Sequence, residues 1–371
     1  TELRPAIEVE HLRARAARSA SEGDLLRRLD YKIPSLQQAL RKYDEALPIW
    51  RSIGDWKEEA NTLNSIGVTN AYLDRRQTAA EYFKQALEIW QAAGDRTGAA
   101  IAFTNLGRTS FVKAEAVLNM ESALELWHTI GDRRWVAITL YFLGRIYHRF
   151  SDQVSALKYY EQSLKTWQTV DDRNSEVLVW FYMAEMFASL GDMQKCRDYY
   201  QHANVLAEKS KYREMVVASL LRLGETYFVE GEFNEALDYY SHALNLSRHT
   251  GQPEEAYSLY DLGGVYFAFN DKEKALDYFQ QSLPLWQGNF NGEGYSLEYI
   301  GRIYSALGQR QKAIEYLKQA LPLMRASSST HGEAYIWNDL GLIYVAEGDR
   351  AQALDCFTRA LKLSQDSYKD V

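Results

Sequence analysis

The sequence has few cysteines, few prolines and no long apolar run. Its two cysteines, Cys196 and Cys356, are too few for a zinc site of four thiolates or for a disulfide scaffold. No stretch of 18 consecutive apolar residues is present, so we expect no membrane-spanning helix. Only 6 prolines occur in 371 residues, which leaves long uninterrupted helices possible.

The charge balance is moderately acidic. There are 42 Lys+Arg against 50 Asp+Glu, a formal net charge of −8. Proteins dedicated to nucleic-acid binding are usually basic, so a nucleic-acid partner is not expected. No signal-peptide pattern is visible, and we expect a cytoplasmic protein without a membrane partner. The chain begins at Thr1 rather than at a methionine, which suggests an excised or processed chain.

Motifs that carry chemistry are missing as well. The sequence has no Gly-x-Gly-x-x-Gly, no P-loop, no His-Glu-x-x-His and no Gly-x-Ser-x-Gly. His202 and His242 share one phase of the repeat described below, but no carboxylate or thiol at a matching phase completes a metal site. We therefore predict a protein that is not an enzyme, with no catalytic residues, no cofactor and no metal.

A short phrase, usually an aliphatic residue followed by glycine, recurs along the chain. A second small residue follows twelve positions later in seven of the eight copies, and a third comes seven positions after that. Regular spacing of this kind indicates a stack of similar supersecondary units. Counting an irregular first copy, the chain has nine units. The small residues of the phrase are Gly67, Gly107, Gly144, Ala184, Gly224, Gly263, Gly301 and Gly341.

Each unit is predicted to be a pair of helices. Apolar residues fall at helical spacing over 217–229, polar residues around Gly231 interrupt the pattern, and it resumes from Ala236. A single hairpin of this kind cannot bury its apolar face, so neighbouring hairpins must stack.

The repeated residues resemble the tetratricopeptide repeat (TPR) family. The resemblance rests on Leu-Gly-x-x-Tyr, as in Leu223-Gly224 with Tyr227, and on an aromatic residue three positions before a small one, as in Tyr240 and Ala243. The period of about 40 residues is longer than the common form of the family. The segment 46–50, followed by a Gly-Asp pair, looks most like bacterial TPR arrays attached to caspase-like CHAT protease domains.

The resemblance implies an all-α fold, a right-handed superhelical solenoid of about nine helix-turn-helix repeats. One solenoid domain is expected over 1–371. Within it, an irregular first repeat occupies 1–53, eight repeats occupy 54–365, and a tail occupies 366–371.

A stripe of tryptophans shares one phase of the repeat. Each lies four residues after the third small position, and a stripe at one phase is more typical of the core between repeats than of a binding surface. Its members are Trp50, Trp90, Trp127, Trp167 and Trp286.

The candidate binding surface is the groove that, in this family, the first helix of each unit lines. Positions −6, −3, +1 and +4 from the repeated glycine lie within about one helical face. The candidate partner-binding residues at these positions are Asn64, Arg108, Tyr141, Arg145, His148, Phe181, Glu185, Glu225, Tyr260, Tyr295, Glu298, Arg302 and Asn338.

These residues are sorted by charge along the chain. Arg108 and Arg145 come before Glu185 and Glu225, and aromatic residues accompany them. Arginine and aromatic side chains are the types that dominate binding energy at protein interfaces. The family's carboxylate-binding clamp needs Lys, Asn and Arg in consecutive units, and only the two arginines fit, with Asn64 one unit away.

The sequence therefore predicts a protein–protein interaction scaffold that captures a peptide or protein segment in its groove. The segment could belong to a partner or to another part of the same full-length protein, and some aromatic residues could instead fill gaps between helices. The alternative function is a regulatory sensor arm of a larger protein that carries a caspase-like protease domain beyond Val371, and a bacterial source fits the resemblance.

Overall fold

The chain is built from α-helices. The computed structural model describes residues 3–29, 32–248, 253–286 and 288–367, and within these ranges it shows 18 α-helices and no β-strand. This confirms the all-α prediction. The helices are α1 (Leu3–Leu29), α2 (Ile33–Ile53), α3 (Trp56–Tyr72), α4 (Arg76–Ala92), α5 (Arg96–Thr109), α6 (Lys113–Ile130), α7 (Arg133–Arg149), α8 (Gln153–Val170), α9 (Arg173–Ser189), α10 (Met193–Ser210), α11 (Arg213–Val229), α12 (Phe233–Ser247), α13 (Pro253–Ala268), α14 (Lys272–Ser282), α15 (Phe290–Ala306), α16 (Arg310–Ala326), α17 (Thr330–Glu347) and α18 (Arg350–Ser367).

Two compact units divide the chain, Thr1–Met186 and Phe187–Val371. In the first unit, α1 packs on α2, α3 on α4, α5 on α6 and α7 on α8. In the second, α11 packs on α12, α13 on α14, α15 on α16 and α17 on α18. Successive hairpins also pack on each other, as α4 does on α5 and α12 on α13. Each unit is therefore a stack of helical hairpins, as the repeat predicts.

The glycine of the repeated phrase lies where the two helices of a hairpin come closest. A Cβ atom added to Gly144 would lie 2.5 Å from a ring carbon of Tyr160, and one added to Gly224 would lie 2.6 Å from a ring carbon of Tyr240. Carbon atoms in good contact are about 3.5–4.0 Å apart, so a side chain at these positions would force the rings away. The glycine in the first helix and the aromatic ring in the second are thus one packing motif.

The tryptophan stripe is buried, as predicted. Trp50, Trp127 and Trp286 are at most 4% exposed. Trp127 in α6 stacks on Trp135 in α7, with ring centroids 4.9 Å apart and planes at 11°. Because α6 and α7 belong to consecutive hairpins, the stripe forms core between hairpins.

A Gly-Asp pair sets the start of α7, the helix that carries three of the candidate residues. Gly131 ends α6 in the left-handed conformation, with φ 82°. A carboxylate oxygen of Asp132 then accepts hydrogen bonds from the backbone N–H groups of Arg134 and Trp135, each at 3.1 Å. Asp at this position satisfies N–H groups that have no partner inside the helix, so the helix begins at a fixed residue.

The first and the last described segments of the chain are both α-helices. α1 runs over Leu3–Leu29 and packs on α2, which ends at Ile53, directly before the second repeat. α18 ends at Ser367, and the rest of the predicted tail at 366–371 lies outside the described residues.

Candidate functional site

The predicted groove positions are mostly accessible on their helices. In α7, Arg145 is exposed and Tyr141 and His148 are half-buried, whereas Gly144 beside them is buried. Arg108, Glu225 and Asn338 are also exposed, and Asn64, Glu185, Tyr260, Tyr295 and Arg302 are half-buried. Phe181 and Glu298 differ from the expectation, since only 8% and 4% of their surfaces are exposed. Both pack into the interior of their units rather than lining an open groove.

The first unit contains a pocket of about 750 Å³ at the faces of α3, α5, α7 and α9. This volume lies in the range of pockets that hold small molecules or side chains of a partner. Of the predicted residues, the pocket brings together Arg108, Arg145, His148 and Glu185. Asn64, Tyr141 and Phe181 belong to the same unit but do not line it. The remaining charged and aromatic lining residues are Arg76, Arg149, Tyr72, Phe83, Phe142, Tyr160 and Tyr182.

Aromatic rings hold the guanidinium groups in place. The guanidinium carbon of Arg108 lies 4.7 Å from the ring centroid of Phe142. The guanidinium carbon of Arg145 lies 4.5 Å from the ring centroid of Tyr182, and its Nη1 donates to the Tyr141 hydroxyl at 3.4 Å. Such contacts attract a cation to the ring face and limit its rotamers. Tyr141 thus supports the pocket by positioning Arg145.

Two further arginines complete the basic side of the pocket. Arg149 lies over Phe150 at 4.9 Å and donates from Nη2 to the carbonyl oxygen of Ser110 at 2.8 Å. Arg76, at the start of α4, lies 4.7 Å from the ring centroid of Phe111, and its Nε is 2.9 Å from a carboxylate oxygen of Asp74. The Asp74 carboxylate therefore balances the charge of Arg76.

The other three arginines have no such counter-charge. Among the residues that the structure describes, none of Arg108, Arg145 and Arg149 forms an ion pair with a carboxylate. Desolvation and the neighbouring Arg145 charge lower the pKa values of Arg108 and His148. Desolvation, followed by the charges of Arg76 and Arg145, lowers the pKa of Arg149. The pocket therefore concentrates positive charge in a protein whose net charge is negative.

Sequence reasoning missed part of this site. Arg76 lies at the start of a second helix, and Tyr182 lies two residues before the small residue of its unit, so neither is at one of the four positions considered. The signal that could have found Tyr182 is the spacing of Tyr141 and Tyr182, 41 residues, close to one repeat period.

Asn64 has a local partner. Its side-chain oxygen accepts a hydrogen bond from Nδ2 of Asn105 at 2.9 Å, which links α3 to α5. Asn105, rather than Asn64, lines the pocket.

In the second unit, two of the candidate residues, Glu298 and Arg302, interact with each other. The Arg302 guanidinium lies 5.1 Å from the Phe267 ring centroid and 5.0 Å from that of Tyr299. Its Nη1 is 3.6 Å from a carboxylate oxygen of Glu298, and its Nε is 4.0 Å from one of Asp339. Arg302 is therefore held as part of the internal packing of α13, α15 and α17.

The other predicted residues of this unit have separate surroundings. The Tyr295 hydroxyl lies 3.2 Å from Oγ of Ser329, and Tyr260 packs edge-on against Phe279 with centroids 5.5 Å apart. Glu225 is 2.7 Å from Nη1 of Arg222 in its own helix. Asn338 is exposed. The second unit thus brings Glu298 and Arg302 together, with Asp339 as a third member that the sequence did not reveal.

We also searched the described ranges for metal-binding clusters and for membrane-spanning helices. No group of three His, Cys, Asp or Glu side chains there could hold a metal ion. No helix there is both long and apolar enough to cross a bilayer. The thiols of Cys196 and Cys356 are buried.

A comparison with known protein families finds a match to the repeats of this chain. The model of the tetratricopeptide repeat family matches residues 35–92, 114–169, 176–248, 215–288 and 294–366. No curated protein is significantly similar to this sequence.

Several solved structures share the fold. A Signal Transduction ATPase with Numerous Domains (STAND) protein with a TPR sensor, from Pyrococcus horikoshii, aligns with 91% of this chain and 52% of its own, at 14% identity and a TM-score of 0.59. The apo form of RapI aligns with 73% of this chain and 99% of its own, at 13% identity and a TM-score of 0.55. A Rap protein complexed with competence and sporulation factor aligns with 98% of this chain and 100% of its own, at 13% identity and a TM-score of 0.53.

Proposed function

Since this chain belongs to the tetratricopeptide repeat family, we propose that it is an interaction scaffold that captures a segment of another protein. The segment binds in the first unit, where its side chains enter the pocket between α5, α7 and α9. The protein acts by binding rather than by catalysis.

One observation carries the proposal: Arg108, Arg145 and Arg149 converge on an accessible pocket, and none of them pairs with a carboxylate of the described part of the chain. All three side chains are exposed to solvent, so their charges stay hydrated and accessible until a ligand approaches them. An acidic group from a bound segment would supply the missing charge. The complementary potential also speeds association and fixes the orientation of the segment.

The aromatic residues of the pocket also favour binding, because they offer apolar surface to the captured segment. Tyr72, Phe142 and Tyr182 provide flat apolar walls beside the guanidinium groups. Arginine and aromatic residues together are the usual composition of energetic centres in interfaces. A segment that places one acidic and one apolar side chain here would use both features of the pocket.

The charge-reversing substitution Arg145→Glu tests this proposal. Peptides are selected on the wild-type protein from a random peptide library displayed on phage, and their affinities are measured by fluorescence polarisation. We expect Arg145→Glu to weaken binding by roughly 30-fold or more, because reversing a central interface charge costs about 2 kcal/mol or more.

The matched control is Arg41→Glu, since Arg41 is an exposed arginine on α2 of the same unit and does not line the pocket. Both variants must keep the wild-type melting temperature. Selected peptides that bind Arg145→Glu and the wild type equally would contradict the proposal.

A second candidate function is that of a regulatory sensor arm within a longer protein, as the likeness to bacterial arrays implies. The STAND protein from Pyrococcus horikoshii, which has a TPR sensor, shares its fold with 91% of this chain. The coding sequence that follows Val371 distinguishes the two. An effector domain in the same reading frame favours the sensor arm, and an immediate stop codon favours the separate scaffold.

A further inference from the structure

The pocket in the first unit presents more hydrogen-bond donors than one carboxylate can use. Each of Arg108, Arg145 and Arg149 carries five N–H donors on its guanidinium group. One donor of Arg145 is directed to the Tyr141 hydroxyl, and one donor of Arg149 is directed to the carbonyl oxygen of Ser110. A single carboxylate has about four lone-pair positions and one negative charge, which matches one bidentate arginine.

The geometry also fixes where the positive charge lies. Rings of Phe142, Tyr182 and Phe150 hold the three guanidinium groups at 4.5–4.9 Å from their centroids. The groups therefore need little rearrangement when a ligand arrives, and binding loses less entropy than it would with free side chains. Glu185 is the one acidic side chain among the described residues that line the pocket, which also include four arginines.

Repulsion between these like charges is built into the fold. Burial is the largest cause of the lowered pKa values of Arg108, Arg149 and His148, and the charge of Arg145 contributes to the lowering of all three. A ligand with two negative charges would relieve this repulsion better than one with a single charge. A phosphate monoester carries about −1.5 to −2 charge at pH 7 and three strong acceptor oxygens.

We infer that this pocket binds a phosphate monoester, with Arg108, Arg145 and Arg149 on its oxygens and Tyr72, Phe142 and Tyr182 beside the group that bears it. The inference rests on the proposed function, because it takes the phosphate to be carried on a side chain of the captured segment. A free phosphorylated metabolite offers the same chemistry, and the test separates the two sources.

The test uses the full chain and four probes. They are inorganic phosphate, a mononucleotide, and two versions of a degenerate peptide library around a central serine, one phosphorylated and one not. Binding is measured by isothermal titration calorimetry. We expect the phosphorylated library to bind at least tenfold more tightly than the unphosphorylated one, and we expect this preference to fall as salt is added.

The variant is Arg108→Gln combined with Arg149→Gln, and its control is Arg41→Gln combined with Arg96→Gln, two exposed arginines of the same unit outside the pocket. The pocket variant should lose the phosphate preference and the control should keep it. A direct readout that does not depend on the stability of the variant is the NMR titration of His148 in the wild type. The pKa of this imidazole should rise when inorganic phosphate is added, because the anion offsets the Arg145 charge.

The outcomes separate the two proposals. Equal affinity for both libraries, with both still weakened by Arg145→Glu, would overturn the phosphate inference and leave the proposed function in place. Binding of the mononucleotide alone, lost in the pocket variant, would support the phosphate site and contradict capture of a protein segment. An unchanged His148 titration together with no phosphate preference would overturn the inference outright.

Discussion

Replacing Trp127 with alanine is expected to lower the free energy of unfolding by about 3–5 kcal/mol. Trp127 is only 1% exposed, and its ring stacks on Trp135 across the junction of two hairpins. Its Nε1 lies 3.5 Å from Oγ1 of Thr104, so the side chain touches α5 as well as α7. Alanine would remove the large apolar contact and leave a cavity where consecutive hairpins meet.

Urea denaturation followed by circular dichroism measures this loss, and hydrogen exchange of the amides in α5–α8 locates it. In a stack of repeats each hairpin is stabilised mainly by its neighbours, so the weakened protection should centre on that junction. The control is Trp56→Ala, because Trp56 is 44% exposed and should cost far less. Equal losses for the two substitutions would show that the stripe is not the core between hairpins.

The second large effect is on the pH dependence of stability, through Glu298 in the second unit. Burial raises the pKa of Glu298 to about 7, the nearby Asp339 charge adds to the rise, and Arg302 opposes it. In the unfolded chain the pKa is close to the ordinary value of 4.5. Between these two values the folded state binds more protons than the unfolded state, so stability falls as the pH rises from about 4.5 to about 7.

Glu298→Gln should remove most of this slope. Each pKa unit corresponds to about 1.4 kcal/mol, so the variant should be more stable than the wild type by roughly 3 kcal/mol at pH 8 and by about 1 kcal/mol or less at pH 5. Urea denaturation at several pH values measures the difference. The control is Glu315→Gln, an exposed glutamate on α16, which should leave the slope as it is. A wild-type slope retained in Glu298→Gln would contradict the buried, proton-linked role.

The repeat could be predicted from sequence because its packing depends on residue size at fixed positions. Gly144 and Gly224 each accept an aromatic ring, and this requirement leaves a regular mark in the sequence. The tryptophan stripe is similar, since Trp127 and Trp50 occupy the same position in their repeats and both are buried. Patterns of this kind come from contacts repeated in every hairpin.

The pocket could be predicted only in part. Arg108 and Arg145 occupy a position defined relative to the repeated glycine, and both line the pocket. Arg76 reaches it from the start of the second helix of a hairpin, and Tyr182 reaches it from α9, the first helix of the next repeat. Their placement depends on how side chains from several helices meet, which spacing within one helix does not determine.

The same reason explains why the repeat pattern predicts an open groove position for Glu298, which is buried in the structure. Glu298 lies three residues before the repeated glycine, and the residue at this position is more accessible in other repeats, as Tyr141 is in α7. In α15, however, the Arg302 guanidinium lies 3.6 Å from its carboxylate and also 4.0 Å from that of Asp339 in α17. Burial there is set by the identities of side chains on the neighbouring first helix, α17.

The central claim, that a captured segment lies in the pocket of the first unit, can be tested most directly by site-specific photo-crosslinking. A photoreactive phenylalanine derivative replaces Tyr72, which is 51% exposed and lines the pocket, or Leu118, which is 65% exposed on α6 and does not. Each variant is irradiated with a peptide selected on the wild-type protein. We predict a covalent adduct at position 72 that excess unlabelled peptide suppresses, and none at position 118. An adduct at position 118 with none at position 72 would contradict the claim.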